Sequence, residues 1–156
     1  MQGDPEVIEL LNEVLTAELT AINEYFVDAM MFANWGYKRL GDRFRDESID
    51  EMKDAEKLIE RILYLDGVPN LQRLGPVRVG EAPEEKLRLA LDLEREAIER
   101  LNRGIALAVD RADNGSRELL ADILVGEEAH ADWLETQLHA FNELGGPQYL
   151  AQQLHD

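Results

Sequence analysis

The segment SRELLADILVGEEAHADWLETQLHAFNEL, residues 116–144, carries the clearest structural pattern in the chain. Apolar residues recur in it at steps of three and four, which is typical of an α-helix with one buried face. We call the positions on that face the seam. The seam of this segment consists of Leu120, Ile123, Glu127, His130, Leu134, Gln137, Phe141 and Leu144. The pattern predicts a helix whose buried face is apolar except near its midpoint.

The same period occurs in three more segments, each bounded by glycine or proline. Pro5 and Pro83 stand where the first residue of a helix is often proline, and Ser116 is a candidate cap for the last long helix. The predicted long helices cover residues 5–34, 40–66, 83–112 and 116–144, followed by a short amphipathic helix at 147–154. Each long helix is about 27–30 residues, or roughly 40–45 Å.

The connections between these helices predict their arrangement. Short links join the first helix to the second and the third to the fourth, so each pair is expected to be antiparallel. Between Gly67 and Pro83, both included, three glycines and three prolines occur without a helical period, which indicates one long crossover. We therefore predict an all-α, single-domain chain over residues 1–156: a four-helix bundle with one crossover and a short C-terminal fifth helix.

Composition excludes several classes of function. The 156 residues include 16 Lys+Arg and 33 Asp+Glu, a net charge of −17, which disfavours nucleic acid and anionic membranes as partners. The chain has no cysteine, so thiolate catalysis, disulfides and cysteine-ligated metals are excluded. The start, Met1–Pro5, carries no signal-peptide pattern, and no apolar run is long enough to span a membrane, so we expect a cytoplasmic protein.

Six ionisable residues interrupt the apolar seams near the midpoints of the four helices. In a bundle of equal helices the midpoints share one layer, so these side chains should converge. The spacing i, i+3 puts both members of a pair on one helix face. The six are Glu18, Glu51, Asp54, Glu94, Glu127 and His130. Glu47, also on a seam, is interpreted as a side chain that reaches solvent.

Five carboxylates buried together need protons or cations, because desolvation costs several kcal/mol per ion and mutual repulsion adds to it. Two divalent ions would supply four positive charges, with His130 as a neutral donor. Hard oxygen ligands with one imidazole favour iron or manganese over copper or structural zinc. Tyr25, one heptad after Glu18, is either a core aromatic or a hydrogen-bonding neighbour of this site.

A second apolar stripe on each of the first two helices indicates a subunit interface. On the second helix it consists of Ile49, Met52, Ile59 and Leu63, and on the first of Leu19, Phe26 and Met30. From periodicity alone, Met52 is a packing residue.

Several stretches, taken together, resemble the bacterioferritin family over essentially the whole chain. They are MQGDP (1–5), ELTAINEYF (18–26), ESIDEM (47–52), RILYLDGVPNLQRL (61–74) and EEAHADWLETQL (127–138). The resemblance implies a ferritin-like fold, a cage of 24 identical subunits, oxidation of Fe(II) by O₂ or peroxide at a di-iron centre, and storage of ferric mineral. It also implies haem b shared between two subunits and a ferredoxin-type reductant for iron release.

The resemblance assigns roles residue by residue. Glu18, Glu51, Glu94, Glu127 and His130 fall on the ferroxidase ligands, with Glu51 and Glu127 as the bridging carboxylates. Met52 falls on the haem-ligating methionine, which reverses its interpretation as a packing residue. Tyr25 matches the tyrosine beside the di-iron site.

One ligand position departs from the family, since Asp54 stands where histidine is expected. The reach is similar, but the site changes from four carboxylates and two imidazoles to five and one, which favours Fe(III) over Fe(II). Alternatively, Asp54 turns towards Lys53 or Lys57 and leaves one metal position weak. Asp28 and Asp46 also replace histidines that are frequent in the family.

Three functions therefore remain open from the sequence. The leading one is an iron-storage ferroxidase. The second is a haem-binding cage subunit with an impaired di-iron centre, in a structural or electron-transfer role. The third is a manganese or mixed-metal carboxylate enzyme on the same bundle.

Overall fold

A computed structural model describes residues 1–155 and contains five helices in that range. They are α1 (Pro5–Asn34), α2 (Lys38–Tyr64), α3 (Pro83–Asp110), α4 (Asn114–Leu144) and α5 (Gly146–Ala151). The described part of the chain contains no strand, so the predicted all-α helical bundle with a short C-terminal helix is confirmed. None of these helices combines the length and apolar character needed to cross a bilayer.

The observed helix ends differ from the expected ones by a few residues, and backbone geometry explains where the chain leaves the helix. α2 ends at Tyr64 rather than residue 66 because Asp66 has a positive φ of 61°. α3 ends at Asp110 rather than residue 112 because Ala112 has a φ of 54°. Both residues lie in the left-handed region, which a right-handed helix cannot include.

α2, α4 and α5 also begin at residues that differ from the predicted ones. α2 begins at Lys38, two residues before the expected start. The expectation that Ser116 caps α4 is wrong: the side chain of Asp113 accepts a hydrogen bond from the Ser116 backbone N–H, so the helix begins at Asn114. α5 covers Gly146–Ala151 instead of residues 147–154.

Contacts at the helix ends establish the topology. The Gly3 N–H bonds the Leu65 carbonyl oxygen at 2.9 Å, so the start of α1 meets the end of α2. Lys86 at the start of α3 pairs with Asp28 late in α1, and Arg111 just after α3 pairs with Asp4 just before α1. α1 is therefore antiparallel to both α2 and α3, which makes α2 and α3 parallel, as the crossover requires.

The crossover, residues 65–82, lies along a polar stripe of α1 that sequence reasoning did not identify. The stripe recurs every four residues, at Asn12, Thr16, Thr20, Glu24 and Asp28. Asn12 bonds the backbone of Val68 and Asn70, the Thr20 hydroxyl accepts from the Gly75 N–H at 2.8 Å, and Glu24 accepts from the Arg78 N–H. These side chains replace the backbone partners that a strand or helix would supply.

The buried core divides into two hydrophobic clusters at opposite ends of the bundle. One is aliphatic and comprises Val7, Leu10, Leu11, Val14, Leu15, Ala55, Leu58, Ile62, Leu65, Leu101, Leu120 and Ile123. The other contains the buried aromatics and comprises Ala21, Tyr25, Ala29, Phe32, Leu40, Phe44, Leu87, Ala90, Leu91, Ala131, Leu134 and Tyr149. The positions between them in each helix sequence are occupied by the ionisable residues described next.

Candidate metal centre

Four long helices bring the six ionisable seam residues together. Their donor atoms form two overlapping groups, and within each group all the donor atoms lie within 4.8 Å of one another. The first group, which we call position A, consists of Glu51, Glu94, Glu127 and His130. The second, position B, consists of Glu18, Glu51, Asp54 and Glu127. Glu51 and Glu127 belong to both groups.

Burial separates one of these residues from the other five. Glu18, Glu51, Glu94, Glu127 and His130 are only 1–3% exposed, whereas Asp54 is half-buried. The oxygen of Asp54 faces Glu18 and the two shared glutamates. Among residues 1–155, no ion pair joins Asp54 to Lys53 or Lys57. Its side chain is therefore directed into the centre.

Hydrogen bonds in position A converge on one carboxylate oxygen. The Tyr25 hydroxyl donates to Glu94 Oε1, and His130 Nδ1 lies 3.0 Å from the same oxygen. Tyr25 is therefore a hydrogen-bonding neighbour of the centre and also a core aromatic, since its ring is fully buried in the aromatic cluster.

Several buried oxygen and nitrogen atoms of the centre have no hydrogen-bond partner within the described residues. Glu18 Oε2, Glu94 Oε2 and His130 Nε2 are in this state. An unpaired buried polar atom costs about 1–3 kcal/mol, so native proteins rarely keep one without a ligand, ion or water. Two such carboxylate oxygens in one layer fit a centre that is completed by cations.

Burial also changes the protonation of the carboxylates. Desolvation raises the pKa of Glu18, Glu51 and Glu127 well above the ordinary value of 4.5, and repulsion from neighbouring carboxylates adds to it. Glu94 behaves differently: burial opposes its ionised form, but hydrogen bonds from Glu127, His130 and Tyr25 outweigh burial and lower its pKa. Without a cation, burial therefore favours the protonated form of Glu18, Glu51 and Glu127, whereas hydrogen bonding favours the ionised form of Glu94.

The pKa of Asp54 is also raised, but less than that of the three buried glutamates whose pKa lies well above 4.5. Its pKa is raised to about 6, chiefly by partial burial and also by repulsion from Asp50, Glu94 and Glu47, against the lowering effect of Lys57. Near neutral pH this carboxylate is ionised, so it competes for a cation without first having to lose a proton.

Comparison with known proteins gives the family. The sequence profile of the ferritin-like domain matches residues 8–144. The chain is 49% identical over 152 residues to "Bacterioferritin" of Mycobacterium leprae, covering 97% of this chain and 96% of the relative. It is 51% identical over 151 residues to "Bacterioferritin" of Streptomyces coelicolor, covering 97% and 90%. For "Bacterioferritin" of Rhodobacter capsulatus the identity is 41% over 145 residues, covering 93% and 90%.

This chain belongs to the bacterioferritin family. The predicted family is thus confirmed, and with it membership of a class of iron-storage proteins. The buried carboxylate and histidine cluster fits the binding of iron, because iron accepts hard oxygen ligands and imidazole together.

In this member of the bacterioferritin family, the apolar stripes predicted for α1 and α2 are largely exposed. Met52 is 56% exposed and, with Leu19, Ile22, Ala55 and Ile59, lines an open and mostly apolar pocket. Farther along the same helices Phe26, Met30, Ile49 and Leu63 are exposed too. One chain thus presents the Met52 thioether in an open pocket on an exposed, apolar helix face.

Sequence reasoning missed three residues that border position A. Glu47, interpreted as a solvent-reaching side chain, is largely buried and its Oε2 lies 3.5 Å from His130 Nδ1. Arg43 bonds Glu47, and Trp133 stacks on His130. The i, i+4 spacing of Arg43 and Glu47 was visible in the sequence, but it is equally typical of an exposed helix face.

Proposed function

We propose that this bacterioferritin-family chain is an iron-storage ferroxidase, whose substrate Fe(II) is oxidised with O₂ or peroxide and whose ferric product is kept in a cage. The observation that carries the proposal is the overlap of positions A and B through Glu51 and Glu127. Two carboxylates shared between two donor groups allow a pair of ions to be bound side by side, which is the arrangement for a reaction that takes electrons from both.

The roles follow from the donor groups. Glu51 and Glu127 would be shared by the two ions, Glu94 and His130 would complete position A, and Glu18 and Asp54 would complete position B. Tyr25 orients Glu94 by hydrogen bonding to its Oε1. Bound iron is the substrate, and it supplies the electrons that reduce the oxidant, four Fe(II) for each O₂ in net terms.

The protein residues also manage protons and solvent. Burial raises the pKa of Glu18, Glu51 and Glu127 in the metal-free centre, so Fe(II) would compete with protons for these carboxylates. The two hydrophobic clusters at the ends of the bundle keep bulk water away from the centre.

An anaerobic Fe(II) titration of metal-free protein, followed by an oxygen pulse, tests the proposal. We expect a break at two Fe(II) per chain and oxidation much faster than in buffer. A break at one or none, or oxidation at the buffer rate, would contradict it. Metal analysis of protein grown with both iron and manganese separates the alternatives, since manganese at both positions would favour a manganese enzyme.

The exposed Met52 thioether lies in an open, mostly apolar pocket, and we propose that two chains hold one haem b through their Met52 thioethers. When bound, haem b supplies a one-electron redox centre at the chain–chain contact. Met52→Leu is expected to abolish the bis-thioether haem absorbance, whereas Met30→Leu, an exposed methionine on the neighbouring helix, should retain it. Iron titration should be unchanged in both, and haem binding by the Met52→Leu variant would refute this role.

A second candidate function is a haem-bearing cage subunit with an impaired di-iron centre. The observation in its favour is Asp54, which gives position B no imidazole and more solvent access than position A. Bis-thioether haem with slow Fe(II) oxidation would establish it in place of the ferroxidase.

Assembly follows from the family and from the exposed stripes of α1 and α2. We propose a cage of 24 identical chains and a ferredoxin-type reductant for iron release, and the cytoplasmic location stays a prediction. Light scattering gives the mass of the assembly directly, and a stable monomer would exclude both the cage and the shared haem.

A further inference from the structure

Four side chains form a closed ring of contacts beside position A, and it joins α2 to α4. Arg43 directs both Nε and Nη2 at the same oxygen, Glu47 Oε1, each at 3.1 Å. This leaves Glu47 Oε2 facing His130 Nδ1 at 3.5 Å. His130 stacks on Trp133 with an interplanar angle of 23°, and the Arg43 guanidinium lies 4.2 Å from the centre of the Trp133 ring. Arg43 therefore contacts two of the groups that lie against the imidazole, Glu47 and Trp133.

The imidazole needs such support because its usual anchor is missing. A histidine that binds metal through one nitrogen normally donates the other N–H to a carboxylate or carbonyl, which fixes the ring plane. His130 Nδ1 faces the centre, and His130 Nε2 has no hydrogen-bond partner among residues 1–155. The plane of the ring is held instead by Trp133 and by the edges of Tyr25 and Phe44.

We infer that Arg43 is a positioning residue for position A: its planar guanidinium holds Glu47 and Trp133, and through Trp133 it fixes the orientation of the His130 imidazole. The inference rests on the proposed metal centre and adds to it a residue outside the ligand set. Lysine could not replace it, because an ammonium group offers neither a planar face for Trp133 nor two donors in a fixed fork.

For the effect of removing Arg43 on metal affinity, the inference predicts the opposite of what charge alone predicts. Removal of a cation near a cation site reduces repulsion and should tighten metal binding. Loss of a positioning residue should weaken it, by about tenfold on the scale seen when partners of metal ligands are removed.

Anaerobic Co(II) titration of metal-free protein, followed by visible absorption, measures affinity at position A without any oxidation step. We expect Arg43→Met to weaken Co(II) binding at position A about tenfold and to alter the absorption of the histidine-bound ion. Arg43→Lys should resemble Arg43→Met. Arg45→Met is the matched control, since Arg45 is exposed on the same helix, and it should match the unaltered chain. Unchanged or tighter binding by Arg43→Met, or full rescue by lysine, would overturn the inference.

A double-mutant cycle tests whether Arg43 acts through the imidazole. In a His130→Asn background, Arg43→Met should have no further effect on Co(II) affinity. An equal loss in both backgrounds would overturn the inference, because it would indicate a general structural effect. Tight Co(II) binding with slow iron oxidation would refute the ferroxidase but leave the role of Arg43 intact, whereas absence of Co(II) binding at position A would overturn both.

Discussion

Positions A and B share two glutamates and each adds a third, but they differ in the fourth residue, in charge and in burial. Position A has an imidazole, complete burial and a surround of aromatic rings. Position B has four carboxylates and no imidazole, and one of its ligands, Asp54, is half-buried. The comparison shows how one symmetric layer of a bundle can offer two unlike sites when a single residue changes.

The difference is one of charge and of access. With all carboxylates ionised, position A carries three negative charges and position B four, counting the shared pair in each. Position B is therefore the harder and more anionic site, which favours Fe(III). Position A is the more rigid, because Tyr25 and the ring of Arg43, Glu47, His130 and Trp133 fix its ligands.

The largest effect is expected from a residue that both positions share. Glu127→Gln keeps the shape of the side chain but removes a bridging charge, so both equivalents of Fe(II) should be lost and oxidation should slow about 100-fold or more. Glu128→Gln, the exposed neighbour on α4, serves as the control. Fe(II) titration with an oxygen pulse measures both quantities, and retention of two equivalents would show that Glu127 does not bridge.

Substitutions that alter only one of the two positions should remove only one equivalent of bound Fe(II) per chain. Glu18→Gln alters position B and Glu94→Gln alters position A, so each should shift the titration break from two Fe(II) per chain to one. Glu94→Gln should also lower the Tm of the metal-free protein, because Tyr25 and His130 lose a charged acceptor worth about 1–3 kcal/mol. Loss of both equivalents in either variant would mean that the positions are not separable.

Asp54→His makes the two positions alike and should ease reduction of the oxidised centre. Removing one negative charge destabilises Fe(III) relative to Fe(II), so reductive release of iron should accelerate about fivefold to tenfold, on the order of 1 kcal/mol. Asp54→Asn is the matched variant, since it removes the charge without supplying a ring nitrogen. Release rates measured with an Fe(II) chelator compare the two, and a slower release from Asp54→His would reverse the charge argument.

The smallest effect expected is a pH dependence of stability that metal reverses. The pKa of Glu18, Glu51 and Glu127 is raised in the folded metal-free state, so their contribution is fully present below the ordinary value of 4.5 and is lost as pH rises through the raised values. Asp54, with a pKa of about 6, acts in the same direction. The Tm should therefore fall by about 3–6 °C between about pH 5 and pH 8.

Two comparisons make that prediction specific. A bound divalent ion replaces the protons, so metal-loaded protein should lose less stability, or gain it, over the same range. Buried Glu24, with a pKa raised to about 7 by burial, lies on the stripe of α1 that holds the crossover and should respond to pH whether or not metal is present. If metal leaves the slope of Tm against pH unchanged, the buried glutamates do not bind it.

The helices and the gathering of six donor residues could be predicted from the sequence because both depend on local spacing. Steps of three and four place residues on one face of a helix, and equal helix lengths bring Glu18 and Glu94 to the same depth. The residue that caps α4 could not be predicted from the sequence. Asp113 and Ser116 are both good capping residues, and only the backbone geometry shows that Asp113 is the cap.

The polar stripe of α1 shows where prediction of burial from residue spacing fails. Asn12, Thr20 and Glu24 recur every four residues, which in a sequence is indistinguishable from a solvated helix face. The structure covers them with the crossover, and it buries Lys86 against Asp28 at 2.8 Å. A charged residue of this kind is expected on the surface unless it is paired, and its partner lies 58 residues away in the sequence.

The sequence by itself determined the all-α class, the crossover and the carboxylate-rich layer, because each depends on residue type and local period, and its resemblance to the bacterioferritin family marked Asp54 as a departure. The tertiary structure alone decided that Asp54 faces the centre, that Glu47 is buried beside His130 and that Arg43 contacts both Glu47 and Trp133. Those facts depend on how each helix is rotated about its axis against its neighbours. Rotation is set by packing across the whole bundle, and a period read along one helix does not contain it.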